Sequence, residues 1–157
     1  MQQSASAPFK LSLWIGLTRP KTLFSGLSSV LVAIFYAASL GAIDVLRTLL
    51  LVLVAVAAQI ASNIANDLID YRKGADTDER KGPLRPLSCG LISEREVRIA
   101  LYLSLAVLLA SGLWLIALSS WWLLLVGLAV VLGVFAYSGG PYPLSYHGWG
   151  DAAVLVF

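Results

Sequence analysis

Charge is scarce in this chain. Only 13% of its 157 residues are Asp, Glu, Lys or Arg, 59% are hydrophobic, and the mean hydropathy is +0.82. A water-soluble domain carries about 25% charged and about 45–50% apolar residues. The shortage excludes a solvent-bathed globule and points to an integral membrane protein. In lipid, the backbone's own polar groups then restrict the crossings to helices or a closed barrel. The long apolar runs lack period-2 alternation, which excludes barrel strands and leaves helices. Cysteine occurs once, at Cys89, so no internal disulfide forms and no redox compartment can be read from it. Histidine also occurs once. His147 has no partner at metal-ligand spacing and is expected at the surface rather than as a base. The opening MQQSASAPFK has neither the apolar core nor the cleavage signature of a signal peptide.

What the chain does have is long apolar runs. Four spans are expected, at roughly 23–42, 46–66, 97–118 and 121–137, each near the ~20 residues that cross a bilayer. A fifth run begins after Asp151 as AAVLVF and reaches the last residue, Phe157. The expected fold is therefore an all-α, polytopic transmembrane helix bundle of four complete helices plus the start of a fifth, read as the N-terminal half of a longer membrane domain. Residues 9–18 are expected to form a short amphipathic helix on the membrane surface. Basic residues fix the expected orientation. Lys10, Arg19 and Lys21 precede the first span, and Arg72, Lys73, Arg80, Lys81, Arg85, Arg95 and Arg98 lie between the second and third. Only Arg47 falls on the opposite side. The positive-inside rule then places the N-terminus, the 67–96 loop and the 138–150 segment in the cytoplasm, in a bacterial cytoplasmic (inner) membrane.

The second span ends in SNIANDLIDYRKGADTDER. Asn63, Asn66, Asp67 and Asp70 stand at i, i+3, i+4 and i+7, one stripe of a helix, and Gln59 and Ser62 extend it inward. From Gln59 to Asp70 the stripe runs roughly 16 Å at ~1.5 Å per residue. Ionisable groups at mid-bilayer cost at least ~2.5–3.5 kcal/mol and normally line a cavity. The stripe is thus expected to face the bundle interior, with its carboxylates at the cytoplasmic mouth. Gly74 can end the helix, after which Asp76, Asp78 and Glu79 fold back toward the mouth. Two carboxylates one turn apart, flanked by carboxamides and with no His or Cys nearby, suit Mg²⁺, which takes oxygen ligands and shares them with substrate phosphates. With the basic residues of the same loop and an apolar cavity beneath, the pattern points to a lipid diphosphate as ligand. Ser93-Glu94-Arg95-Glu96 reads separately as a capping box, with Ile92 and Val97 as its hydrophobic staple. That explains Ser93 and Glu96 structurally and leaves both outside the site.

Asn66-Asp67-Leu68-Ile69-Asp70 followed by Lys73-Gly74-Ala75-Asp76 resembles the first aspartate-rich motif of the UbiA superfamily of intramembrane prenyltransferases. Within it the chain is similar to the menaquinone branch, the 1,4-dihydroxy-2-naphthoate polyprenyltransferases. RPKTL at 19–23, GPLRPLSCGLIS at 82–93 and YSGGPYPLSYHGWGD at 137–151 carry that likeness, with Ser138 and Trp149 where Thr and Leu are usual. The likeness covers about residues 17–157. It implies a UbiA-like bundle whose second aspartate-rich motif belongs to a C-terminal half, so that these residues alone are expected to be inactive. It implies that a polyprenyl diphosphate and 1,4-dihydroxy-2-naphthoate are the substrates and the lipid bilayer the setting, with no nucleic-acid partner.

The resemblance also implies residue roles. Asp67 and Asp70 hold Mg²⁺, Asn63 and Asn66 ligate or orient, and Asp76 completes the motif. Arg72, Lys73 and Arg85 contact phosphate. Arg19 or Lys21 holds the acceptor's carboxylate or a phosphate. Tyr137, Tyr142 and Tyr146 offer π faces near the mouth, either to an allylic cation or as an interfacial aromatic belt. Gly139, Gly140, Gly148 and Gly150 are expected to supply positive φ to the turn that carries those tyrosines. Gly82-Pro83 and Arg85-Pro86 are expected to fix an ordered, non-helical loop over the mouth. Alternatives are another aromatic acceptor such as 4-hydroxybenzoate, or a transporter or channel, which predicts polar residues at mid-depth on the other helices. A CDP-alcohol phosphotransferase is excluded because Tyr71-Arg72 follows Asp70 where that family continues its own signature.

Overall fold

In a computed structural model, the structure describes residues 10–74, 85–136 and 139. Five helices account for most of them: α1 Lys10–Thr18, α2 Pro20–Ser39, α3 Val45–Arg72, α4 Glu94–Leu118 and α5 Leu123–Ala136. No strand occurs among the described residues. By length and composition, α2, α3 and α4 are each able to cross a membrane. The fourth expected span is present as α5 but has 14 residues, about 21 Å at ~1.5 Å per residue. The fifth run lies outside the described residues.

Helix ends follow local chemistry. Asp44 caps α3, its carboxylate accepting from the Arg47 N–H at 2.8 Å. At the other end Gly74 takes φ +63° and donates its N–H to the Tyr71 carbonyl, the left-handed stop that glycine adopts without strain. The second crossing therefore continues past Asn66 to Arg72, and the first part of the expected 67–96 loop is helical. Its 28 residues span about 42 Å, beyond the ~30 Å hydrocarbon layer, so apolarity fades before the helix ends. At the start of α4 the capping box is present in both directions: Ser93 Oγ accepts from the Glu96 N–H and Glu96 accepts from the Ser93 N–H. Ile92 and Val97 are both buried beside it.

Packing is organised around α3, which touches every other helix, most extensively α4. Ala57, Ala61 and Ala65 are buried along it, small residues that let neighbouring backbones approach. At Gly26 of α2 an added Cβ would lie 2.8 Å from Gln59 Oε1 of α3, so a side chain there would push the Gln59 amide aside. The short helix α1 does not stand apart on a surface. Leu13 and Leu17 enter the core with Ile64, Leu68, Leu87 and Val97, which seats α1 against α3.

Beside this apolar core, burial departs from that of a soluble protein in two ways. Asn63, Asn66, Asp67 and Ser111 are inside, while Phe24, Val32, Phe35, Tyr36, Trp121 and Trp122 are exposed. Apolar surface on this scale fits a lipid environment and not water. The two ends of the bundle also differ. At one, Arg47 donates from Nε and Nη2 to the Leu118 carbonyl at 3.1 and 2.6 Å, satisfying the end of α4. The other gathers the start of α2, the end of α3 and the start of α4, and carries the polar stripe.

Candidate active site

The stripe expected from residue spacing is buried. Asn63 and Asp67 are 3% exposed and Asn66 is 8% exposed, so these side chains turn into the bundle. Asp67 meets two cations. Arg19 Nη2 pairs with its Oδ1, and Arg85 Nε approaches the same oxygen at 3.4 Å. Arg85 also reaches one turn further, donating from Nη1 to Asp70 Oδ2 at 2.9 Å. The planar, always-charged guanidinium fork of Arg85 thus bridges both carboxylates. Its side chain is only 10% exposed, a depth at which charge-assisted contacts are stronger than at the surface.

Each cation is delivered by a rigid local device. Arg85 precedes Pro86, and the turn after it is pinned by Leu87 and Ile92, both in the core. Gly90 at φ +68° lets the chain reverse, and Leu91 N–H donates to the Pro86 carbonyl at 2.9 Å. The described part of the expected covering loop is therefore fastened to the bundle. Arg19 sits between α1 and α2 with φ 50° and ψ 71°. It has the only positive φ at a non-glycine among the described residues. That conformation costs an L-residue roughly 1–2 kcal/mol, and Pro20 restricts it further. Such strain persists where surrounding structure enforces it, characteristically at functional sites.

The predicted residues separate into those brought together and those not. Arg19, Asp67, Asp70 and Arg85 converge, with Asn66 buried on the same helix and Asn63 one turn deeper than Asp67. Asn66 Oδ1 is buried without a hydrogen-bond partner among the described residues, on the stretch of α3 that also carries both carboxylates. Arg72 is not part of the group. It lies two residues past Asp70, off the stripe, and donates to Glu94 from Nε at 3.0 Å and Nη2 at 2.6 Å. That bridge ties α3 to α4 instead of reaching phosphate. Lys21 is exposed on the first turn of α2 and Lys73 is exposed at the end of α3. Asp76 and Tyr137 fall outside the described residues, as do the other tyrosines of that segment. Gly139 is placed, and its need is not positive φ: an added Cβ would lie 2.5 Å from the Phe135 carbonyl oxygen and 3.2 Å from Ile69. The spacing argument missed Thr18 and Thr22, which hold Asn63. No spacing signal marked them, because Thr18 acts through its backbone carbonyl and Thr22 lies 41 residues from Asn63.

These residues are suited to binding hard, charged ligands. No group of three or more His, Cys, Asp or Glu occurs among the described residues, so a divalent cation would rest here on two carboxylates and the Asn66 carbonyl. That all-oxygen set fits Mg²⁺. A transport path would need polar groups to continue across the other helices. On α4, Ser104 and Ser111 instead donate to carbonyls of their own helix at 2.9 and 2.6 Å, which leaves the polar stripe of α3 without a continuation there.

The fold and site define an integral membrane helix bundle with a buried, arginine-bridged acidic cluster at one end. Its sequence over residues 26–157 matches the model of the UbiA prenyltransferase family, and the chain belongs to that family. It is 40% identical over 144 residues to a 1,4-dihydroxy-2-naphthoate octaprenyltransferase of Mycobacterium tuberculosis, covering 92% of this chain and 49% of the relative. The protein of the same name from Escherichia coli is 36% identical over 92% of this chain and 49% of its own. That from Bacillus subtilis is 32% identical over 95% and 49%. The chain spans about half the length of the curated relatives it matches. No solved structure matches it.

Proposed function

We propose that these helices form part of the active site of an enzyme that transfers a polyprenyl group from its diphosphate to 1,4-dihydroxy-2-naphthoate, with decarboxylation, in menaquinone synthesis. The arrangement that carries this reading is Asp67 and Asp70 bridged by Arg85, with Arg19 on Asp67 and an open Asn66 carbonyl on the same helix. Names of relatives between 32% and 40% identical support the choice of acceptor. The site faces the cytoplasm of a bacterial inner membrane in this reading, as the basic residues around it favour.

Mg²⁺ would be held by Asp70, Asn66 and Asp67, with Asp76, and when bound it supplies positive charge to the departing diphosphate oxygens. Arg19 and Arg85 present N–H donors to the same oxygens, where charge develops as the allylic carbon–oxygen bond breaks with its electron pair. The apolar core beneath, including Leu17, Ile64 and Leu68, keeps water from the resulting cation. The ring carbon bearing the carboxylate attacks the allylic carbon. Its bond to the carboxylate then returns an electron pair to the ring as CO₂ leaves, so no proton need be moved.

The test uses the intact protein in membranes with a polyprenyl diphosphate and 1,4-dihydroxy-2-naphthoate. Asp70→Asn and Asp67→Asn are each expected to abolish transfer while the protein still inserts. Near-normal turnover by Asp70→Asn would overturn the assignment. Substituting 4-hydroxybenzoate as acceptor is expected to give little product, and efficient use of it would move the protein to the other branch.

A further inference from the structure

Asn63 lies one turn deeper than Asp67 on α3 and is left unused by the chemistry above. Its amide NH₂ donates to the Thr18 carbonyl at 2.8 Å and to Thr22 Oγ1 at 2.9 Å. A backbone carbonyl can only accept, so the way this amide faces is set by chemistry and not by choice. The Thr22 hydroxyl, having accepted from Asn63, donates onward to the Arg19 carbonyl at 2.9 Å. The two carbonyls involved belong to the two peptide planes that flank the Arg19 Cα. Because peptide units are planar, holding both planes fixes φ and ψ of the residue between them. That residue is the one with the left-handed backbone. Behind Asn63, Gln59 Nε2 approaches its Oδ1 at 3.5 Å, and Gly26 leaves the space that Gln59 fills.

We propose that Asn63 is a positioning residue. By gripping both peptide planes around Arg19, directly and through Thr22, it sets the strained backbone from which the Arg19 guanidinium meets Asp67 and a substrate's diphosphate. The idea rests on the reading of Arg19 given under the proposed function. Both N–H groups of Asn63 are committed to the α1–α2 turn, and its Oδ1 faces Gln59 Nε2 at 3.5 Å. Thr22 becomes part of the same device through its hydroxyl.

A double-mutant cycle on the intact protein tests this, with pyrophosphate in the presence of Mg²⁺ as the binding probe and prenyl transfer as a second readout. Asn63→Ala and Arg19→Ala are each expected to weaken pyrophosphate binding about ten-fold or more, the size of one charge-assisted contact. The double variant is expected to bind no worse than Arg19→Ala alone, because the two act through one guanidinium. Thr22→Val, nearly isosteric and safe for folding if Asn63→Ala is not, is expected to reproduce part of the loss. Thr22→Ser, which keeps the hydroxyl, is expected to restore wild-type binding. Losses that multiply in the double variant, or wild-type binding by Thr22→Val, overturn the proposal. Unaltered binding by Arg19→Ala overturns it too, while the wider reading would still be decided by transfer in Asp70→Asn.

Discussion

Arg19 shows how much a single position can be asked to carry. A glycine would adopt its backbone freely, yet only an arginine or lysine reaches Asp67 with charge. Removing the side chain therefore does two things, which two substitutions separate. Arg19→Gly and Arg19→Ala both lose the guanidinium, but only alanine keeps the left-handed strain. The glycine variant is expected to be more stable than the alanine variant by about 1–2 kcal/mol, read as thermal unfolding in detergent, with both poor in transfer. Asp67 and Asp70 also differ in kind. Asp67 is 3% exposed and touched by two arginines, whereas Asp70 is 14% exposed on its side chain and meets Arg85. Removing one partner of a buried pair costs about 3–5 kcal/mol by stranding the other charge. Asp67→Asn is thus expected to lower the unfolding temperature more than Asp70→Asn, although both lose transfer. The acidic pair was legible from i, i+3 spacing alone. The grip of Asn63 on Thr22, across 41 residues, leaves no periodic trace and needed the fold.

Elements were legible where their signals are local. The capping box of α4 could be read from Ser93 and Glu96 because all its partners lie within four residues. Ser93→Ala is expected to cost about 1 kcal/mol of stability with transfer unchanged, since the side-chain hydrogen bonds of Ser93 are with Glu96. Helix ends were harder wherever apolarity and backbone chemistry disagree. Hydropathy stops near Asn66, but nothing halts the backbone until Gly74, so α3 carries Asp67, Asp70 and Arg72 on one continuous rod. Arg72 shows the cost of reading a loop where there is a helix. In a loop it could have swung to the carboxylates, whereas on the helix its angle commits it to Glu94. Gly139 was read as conformational freedom and proved to be a matter of space, because residues 135 and 69 come together only in three dimensions.

At the scale of the molecule, the gathering of chemistry at one end was legible from charge alone. Arg19, Asp67, Asp70 and Arg85 all meet there, while Arg47 serves the opposite end. The side of the membrane on which that end lies can be read with the protein's own chemistry. Cys89 is the single cysteine, is exposed, and sits in the turn that begins at Arg85. A thiol reagent that cannot cross membranes is expected to label Cys89 in inside-out vesicles and not in intact cells. Labelling from outside would reverse the topology.

The order of the two counter-ions along the chain has a consequence for biosynthesis. Arg19 precedes Asp67 by 48 residues, and Arg85 comes after it. A polypeptide made from its amino end therefore has one positive partner waiting before the acid is translated. The second leaves the ribosome once the α3 rod is complete. An acid that ends as enclosed as Asp67 need not enter the translocon's lipid-facing gate as a lone anion.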